Sequence, residues 1–287
     1  MVIDIHTFPG FFEEISQDPK RVAFRREQYF LYKQHVWPLS LFMTQMDAAG
    51  IDKSVISAED VTTLAGDTIV SNEEVRQLVD MHPDRLIGFA SVDPARKDAL
   101  EVLEHAFTDL KLTGLKLSPA MQHFMPNDPA MQPIYDLCVK YNKPILFEAG
   151  MTWVKNSPSK YSNPLLFEDV AIANPELRFC HGHFGWPWTR ETVMLILKYP
   201  NVFADTALLY FDSPSQFFDT TFNHQLGEYW IDRMLYDKVM FGSTYPRIEQ
   251  KRMVKATQVL NLRPLQRRMV MGDNALRFMG MEDQING

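Results

Sequence analysis

The sequence predicts a parallel (β/α)8 barrel. Eight short apolar, β-branched segments recur along the 287 residues, and amphipathic helical patterns lie between them. No Gly-rich dinucleotide loop follows any strand, which argues against a doubly wound open sheet. Right-handed crossovers make closure into a barrel natural.

The strands are read in order as VIDIH (2–6), DKSVIS (52–57), LIGFASV (86–92), TGLKLS (113–118), KPILFEA (143–149), LRFCHGH (177–183), NVFAD (201–205) and KVMFGS (238–243). Apolar residues at helical spacing predict helices over 72–82, 94–110, 129–141, 165–174, 189–199 and 248–260. The first connection, 11–50, is long and carries the aromatic run FRREQYFLYKQHVWPLSLF. In a barrel it forms either a lid over the catalytic face or a helical excursion packed on the side, and the sequence leaves both open. No linker, repeat or low-complexity tract divides the chain, so 1–287 reads as one domain.

Composition narrows the function classes. Hydrophobic residues make up 46% and charged residues 23%, as expected for a soluble globular chain. The net charge of -7 and the lack of a Lys/Arg stripe argue against nucleic acid as a partner. No segment approaches the roughly 20 apolar residues of a membrane helix. Cys138 and Cys180 lack metal-like spacing, and no signal peptide is legible, so a reducing cytoplasm is expected. Sixteen Met and 20 Phe residues suit a core and the walls of a pocket for a small molecule. The Met and aromatic residues of 206–236 suit either a homo-oligomer interface or such a wall.

Polar residues at strand C-termini are the functional candidates in this architecture. The first strand ends in Asp4 and His6, two apart and so expected on one face. The fourth supplies Lys116 and the fifth Glu148. The sixth supplies His181 and His183, also expected on one face, and the seventh Asp205. Thr244, Tyr245 and Arg247 follow the eighth. Ionisable groups of both signs at successive strand ends point to a site at the barrel mouth.

The ordered runs LIGFASVDP, TGLKLSPAMQHFMPNDPAMQPIYDLCVKYNKPILFEAG, ELRFCHGHFGWPW, NVFADT, KVMFGSTYP and GDNALRFMGM resemble the amidohydrolase superfamily. The likeness is to its family 2 branch, which holds aminocarboxymuconate semialdehyde decarboxylase and related decarboxylases and hydrolases. The resemblance implies the barrel independently of the strand count. It also implies one divalent metal, commonly zinc. The ligands would be an H-x-H after the first strand, a histidine after the fifth, one at the sixth, and an aspartate in a G-S-D-x-P motif after the eighth. Matched by position, His6 and His183 retain that pattern. Phe8 replaces the second histidine, Glu148 stands in place of the third, and Thr244 replaces the aspartate.

These replacements leave two readings. His6, Glu148 and His183 form a two-histidine, one-carboxylate set suited to zinc, manganese or iron(II). Alternatively no cofactor is bound, and Glu148 anchors a polar network with the imidazoles and Lys116. His181 reads as a group behind the ligands or in the core rather than a ligand. Three functions follow. The first is a decarboxylase (lyase) or hydrolase acting on a small carboxylated or aromatic substrate. In it Lys116 and Arg247 hold the carboxylate, His183 or Glu148 handles the proton, and Asp205 or Glu148 serves as base if water attacks. The second is a metal-independent enzyme using Glu148 and His183 in an apolar pocket walled by Phe8, Trp186 and Trp188. The third is a non-catalytic binding protein on the same scaffold.

Overall fold

A computed structural model describes residues 1–208 and 211–285. Its eight-stranded sheet follows chain order. The strands are β1 (Ile3–Thr7), β2 (Lys53–Ser57), β3 (Leu86–Ala90), β4 (Gly114–Leu117), β5 (Ile145–Phe147), β6 (Phe179–His181), β7 (Val202–Asp205) and β8 (Val239–Met240). All seven neighbouring pairs are parallel. The eighth seam is closed by backbone bonds from Ile5 N to Phe241 O (3.0 Å), Thr244 N to His6 O (3.0 Å) and Phe8 N to Tyr245 O (2.8 Å). The expected barrel is present, with seven strands inside their predicted ranges and β1 running one residue past its own, to Thr7.

The helices also fall where the apolar spacing places them. α3 (Asn72–Met81) opens with a capping box between Ser71 and Glu74, which satisfies two otherwise orphaned backbone donors. α4 (Ala99–Thr108) starts five residues later than its pattern suggests. Asp93 accepts from Ala95 N at 3.0 Å, and Arg96 bonds Asp98 and Asp60, so local side-chain bonds hold 94–98 in turns. α5 (Gln132–Lys140), α6 (Phe167–Ala173), α7 (Thr189–Lys198) and α8 (Gln250–Ala256) complete the main outer helices, and α9 (Asn274–Met279) follows near the C-terminus. No helix among the described residues is long and apolar enough to cross a membrane.

Two cores flank the strands. Ile3, Ile5, Val55, Phe89, Leu146, Cys180, Phe203 and Met240 form one cluster with Phe278 of α9. The opposite strand faces, such as Phe147 and Phe179, pack under the outer helices, with Phe147 4.8 Å from Phe167 of α6. Within 206–236, Phe217, Phe218 and Phe222 are buried while Tyr229, Trp230 and Met234 are exposed. Leu209 and Tyr210 lie outside the described residues.

The connection after β1 carries α1 (Pro19–Gln28) and α2 (Leu39–Ala49). It is tied down by Arg25, whose guanidinium is fully buried. Arg25 donates to Ile69 O (2.8 Å), Ile15 O (2.7 Å), Ser16 Oγ (2.7 Å) and Glu74 Oε1 (2.6 Å). Its partners span the start of the connection, a short two-stranded ladder (Glu59–Asp60 with Thr68–Val70) and the cap of α3. Arg25→Met leaves those carbonyls and Glu74 without their donor. It is expected to lower unfolding stability by about 3 kcal/mol, read from urea midpoints at constant m-value.

Candidate active site

Glu148 stands one residue past β5, and its carboxylate is the meeting point of three elements. Oε1 accepts from His6 Nε2 (2.9 Å) and pairs with Lys116 Nζ (3.0 Å), while Oε2 lies 2.6 Å from His183 Nε2. Asp205, at the end of β7, stands behind them. Its Oδ2 holds His6 Nδ1 (2.8 Å), and its Oδ1 accepts from the backbone N–H groups of His183 (2.8 Å) and Ala207 (2.9 Å). His183 Nδ1 faces Ala207 O at 3.1 Å.

These partners assign the ring protons. Asp205 Oδ2 and Ala207 O are acceptors, so Nδ1 of each histidine carries a hydrogen. Both Nε2 atoms therefore aim at Glu148 either a proton or a lone pair. Burial pushes the His6 pKa down, but Glu148 and Asp205 outweigh it and raise the value to about 10. Burial disfavours the Glu148 charge, yet Lys116, His183 and His6 together hold its carboxyl well below the usual range. Lys116 is likewise opposed by burial but raised by Glu148 and Glu59. The cluster is a self-consistent set of buried opposite charges.

The donor chemistry also suits a cation. His6, Glu148 and His183 offer ligand atoms all within 4.8 Å of one another. The Asp205–His6 bond is the kind of outer contact that orients a ligating imidazole. A divalent metal would have to take the Nε2 and carboxylate positions now joined by direct hydrogen bonds.

The strand-end candidates do not all face the same way. A register shift between Asp4 and Thr7 separates Asp4 from His6, contrary to simple alternation. Asp4 turns to Ser243 Oγ (2.5 Å) and Gln250 Nε2 (2.7 Å), where burial raises its pKa to about 6. His181 and His183 also part company. His183 lies beyond β6 in a left-handed turn with φ 55°, whereas His181 packs 4.7 Å from Phe167 and 5.8 Å from Phe179. Neither His181 nitrogen has a partner among the described residues, and burial lowers its pKa to about 3.

A cleft opens over this cluster. Phe8, Tyr29, Met151, Trp153, Glu59, Glu148, His183 and Arg247 are among the residues that line it. Lys116 and Asp205 do not reach it. Lys116 is buried between Glu148 and Glu59 Oε2 (2.5 Å), 4.2 Å from the centroid of the Phe8 ring. Trp186 is not among the lining residues and packs 5.8 Å from Phe211. Thr244 is fully buried with φ 64°, and its hydroxyl has no partner among the described residues.

Sequence reading missed three contributors. Glu59 follows β2 and is bonded by Lys116 and by Ser118 Oγ. A charged residue directly after the apolar run VISA was a legible signal of the kind used for the other strands. Ser118 follows β4 by the same logic. Tyr29, at the C-terminal end of α1, had no signal, because its place depends on how the connection folds back.

A family model described as Amidohydrolase matches residues 38–281. The chain belongs to this amidohydrolase family. A curated relative is the 2-amino-3-carboxymuconate-6-semialdehyde decarboxylase of Dictyostelium discoideum, 20% identical over 74% of this chain. The chain spans 66% of that relative's length. An uncharacterised TIM-barrel protein from Bordetella bronchiseptica superposes with TM-score 0.77 at 21% identity, covering 99% of each chain. A dihydroxybenzoic acid decarboxylase from Polaromonas, solved with bound manganese and 2-nitroresorcinol, gives TM-score 0.66 at 13% identity, covering 99% of this amidohydrolase and 98% of that chain. These structural likenesses establish the same barrel.

Two variants probe the buried charges. His181→Gln removes a group that is neutral when folded and takes up a proton when unfolded. Its contribution is present above pH 6.5 and is lost as pH falls toward 3. Between pH 6.5 and 5 the variant is expected to gain about 2 kcal/mol relative to the parent, read from urea melts at both values. Lys116→Met leaves Glu59 without its cation and Glu148 with the imidazoles alone, and is expected to cost about 3–5 kcal/mol at pH 7, read in the same melts.

Proposed function

We propose that this amidohydrolase is a carboxy-lyase acting on a small carboxylated aromatic or unsaturated substrate. The observation that carries this reading is the division of labour among the charges. Asp205 is spent on His6 Nδ1 and two backbone donors, Glu59 on Lys116 and Ser118, and position 244 is a neutral threonine. No uncommitted carboxylate among the described cleft residues is left to activate water, so hydrolysis lacks its base. Decarboxylation needs only a carboxylate clamp and a proton donor. The decarboxylases among the relatives support the same choice.

Arg247 takes the substrate carboxylate, because its guanidinium lines the cleft, and its Nη2 is steadied by Tyr29 O at 2.8 Å. Phe8 and Met151 present apolar surface to the substrate's flat body. The C–C bond to the carboxylate breaks, its electron pair stays on the substrate carbon, and carbon dioxide leaves. That carbon takes the proton from His183 Nε2, whose imidazolium form Glu148 Oε2 holds at 2.6 Å. Asp205 and Ala207 O position the two imidazoles.

Zinc or manganese, if bound, would be held by His6, Glu148 and His183 and would supply Lewis-acid polarisation of a substrate oxygen. It would compete with the transferable proton for the same Nε2 atom. Phe8, which offers no ligand atom where the family pattern has a histidine, supports a second reading, in which His183 and Glu148 work as a metal-independent acid–base couple.

The test is release of carbon dioxide from a panel of carboxylated aromatics, with elemental analysis of the same preparation. Arg247→Ala is expected to raise KM at least about tenfold with a smaller change in kcat. Glu148→Gln is expected to lower kcat by about 10²–10⁴. Near-stoichiometric metal that vanishes in His6→Ala and Glu148→Ala assigns the cation. Activity in a metal-free, chelator-treated preparation assigns the couple. Variants that turn over at the parental rate would overturn the assignment of both residues.

A further inference from the structure

Tyr29 occupies a fixed position on the cleft wall. It caps α1, its N–H donates to Arg25 O at 2.9 Å, and its carbonyl accepts from Arg247. Its ring lies 5.4 Å from Phe8 and 6.1 Å from Phe11. The residue is 6% exposed, lines the cleft, and its hydroxyl has no hydrogen-bond partner among the described residues.

A buried hydroxyl without a partner costs about 1–3 kcal/mol, and phenylalanine would fill the same space without that cost. The polar tip therefore points to a ligand atom as its missing acceptor. Burial first, and then Glu59 and Glu148, keep the phenol from ionising, so it is a donor. Both carboxylates line the cleft with Tyr29, whereas Arg247 is the guanidinium there. An uncharged oxygen fits there, while a carboxylate fits at Arg247.

We propose that Tyr29 is a specificity-determining residue whose hydroxyl donates to an uncharged hydroxyl or carbonyl oxygen of the substrate, at a point distinct from the carboxylate held by Arg247. This rests on the carboxylate reading of the cleft given above. It narrows the substrate to molecules carrying a second oxygen function.

The experiment is calorimetric titration of the parent protein and Tyr29→Phe with benzoate and its 2-, 3- and 4-hydroxy derivatives. The parent is expected to bind one hydroxybenzoate about 3–10-fold more tightly than benzoate. Tyr29→Phe is expected to bring that preference below about twofold, to leave benzoate affinity unchanged and to raise rather than lower the melting temperature of the free protein. A preference that persists in the variant, a parent with no preference, or an equal loss for benzoate itself would overturn the role of Tyr29 alone. Failure of the parent to bind any of the four acids would instead overturn the carboxylate reading, and the Tyr29 role with it. A tyrosine that merely bonds a fixed water falls among the no-preference outcomes.

Discussion

Everything at the mouth of this barrel depends on one carboxylate. Glu148 accepts from two imidazoles and an ammonium arriving from β1, β4 and the turn after β6. Burying so many charges is unfavourable one at a time, since each loses its hydration. Together they neutralise one another across distances of 2.6–3.0 Å. The arrangement is cooperative in that removing one member leaves its partners with fewer compensating contacts in a water-poor environment.

The replacements that set this chain apart become intelligible against that network. Phe8 offers no ligand atom, but its ring lies beside Lys116 at 4.2 Å, where an aromatic face is attractive to a cation. Glu148 brings a negative charge where a histidine would be neutral or positive, and Lys116 and His6 answer it. Thr244 puts no charge in the same region. Three changes that look like separate losses in the sequence are compatible parts of one electrostatic solution.

The barrel was legible because β-strands and amphipathic helices write their periods into the chain, and burial on both strand faces produces apolar runs such as PILF and VFA. His6, Glu148 and His183 were legible for a related reason, as ionisable residues closing those runs. The facing of side chains was less so. The shift in β1 turns Asp4 away from His6, and the left-handed turn after β6 turns His183 away from His181. Both depend on backbone geometry that strict alternation does not encode. Tyr29 was invisible because it reaches the cleft through a connection pinned by Arg25, a set of long-range bonds with no local pattern. The helix starting at Ala99 was misjudged because Asp93 and Arg96 hold the residues before it in turns.

The Asp205 contacts have a consequence for how this scaffold tolerates change. One carboxylate on β7 grips the His6 ring and the His183 backbone, so both histidines stay in place whether or not anything binds between them. The frame that aims the reactive groups is thus uncoupled from the identity of what they act through. Replacements that keep the Asp205 contacts leave both imidazoles aimed, so changes on the open side of the rings alter what the site acts on without moving its frame.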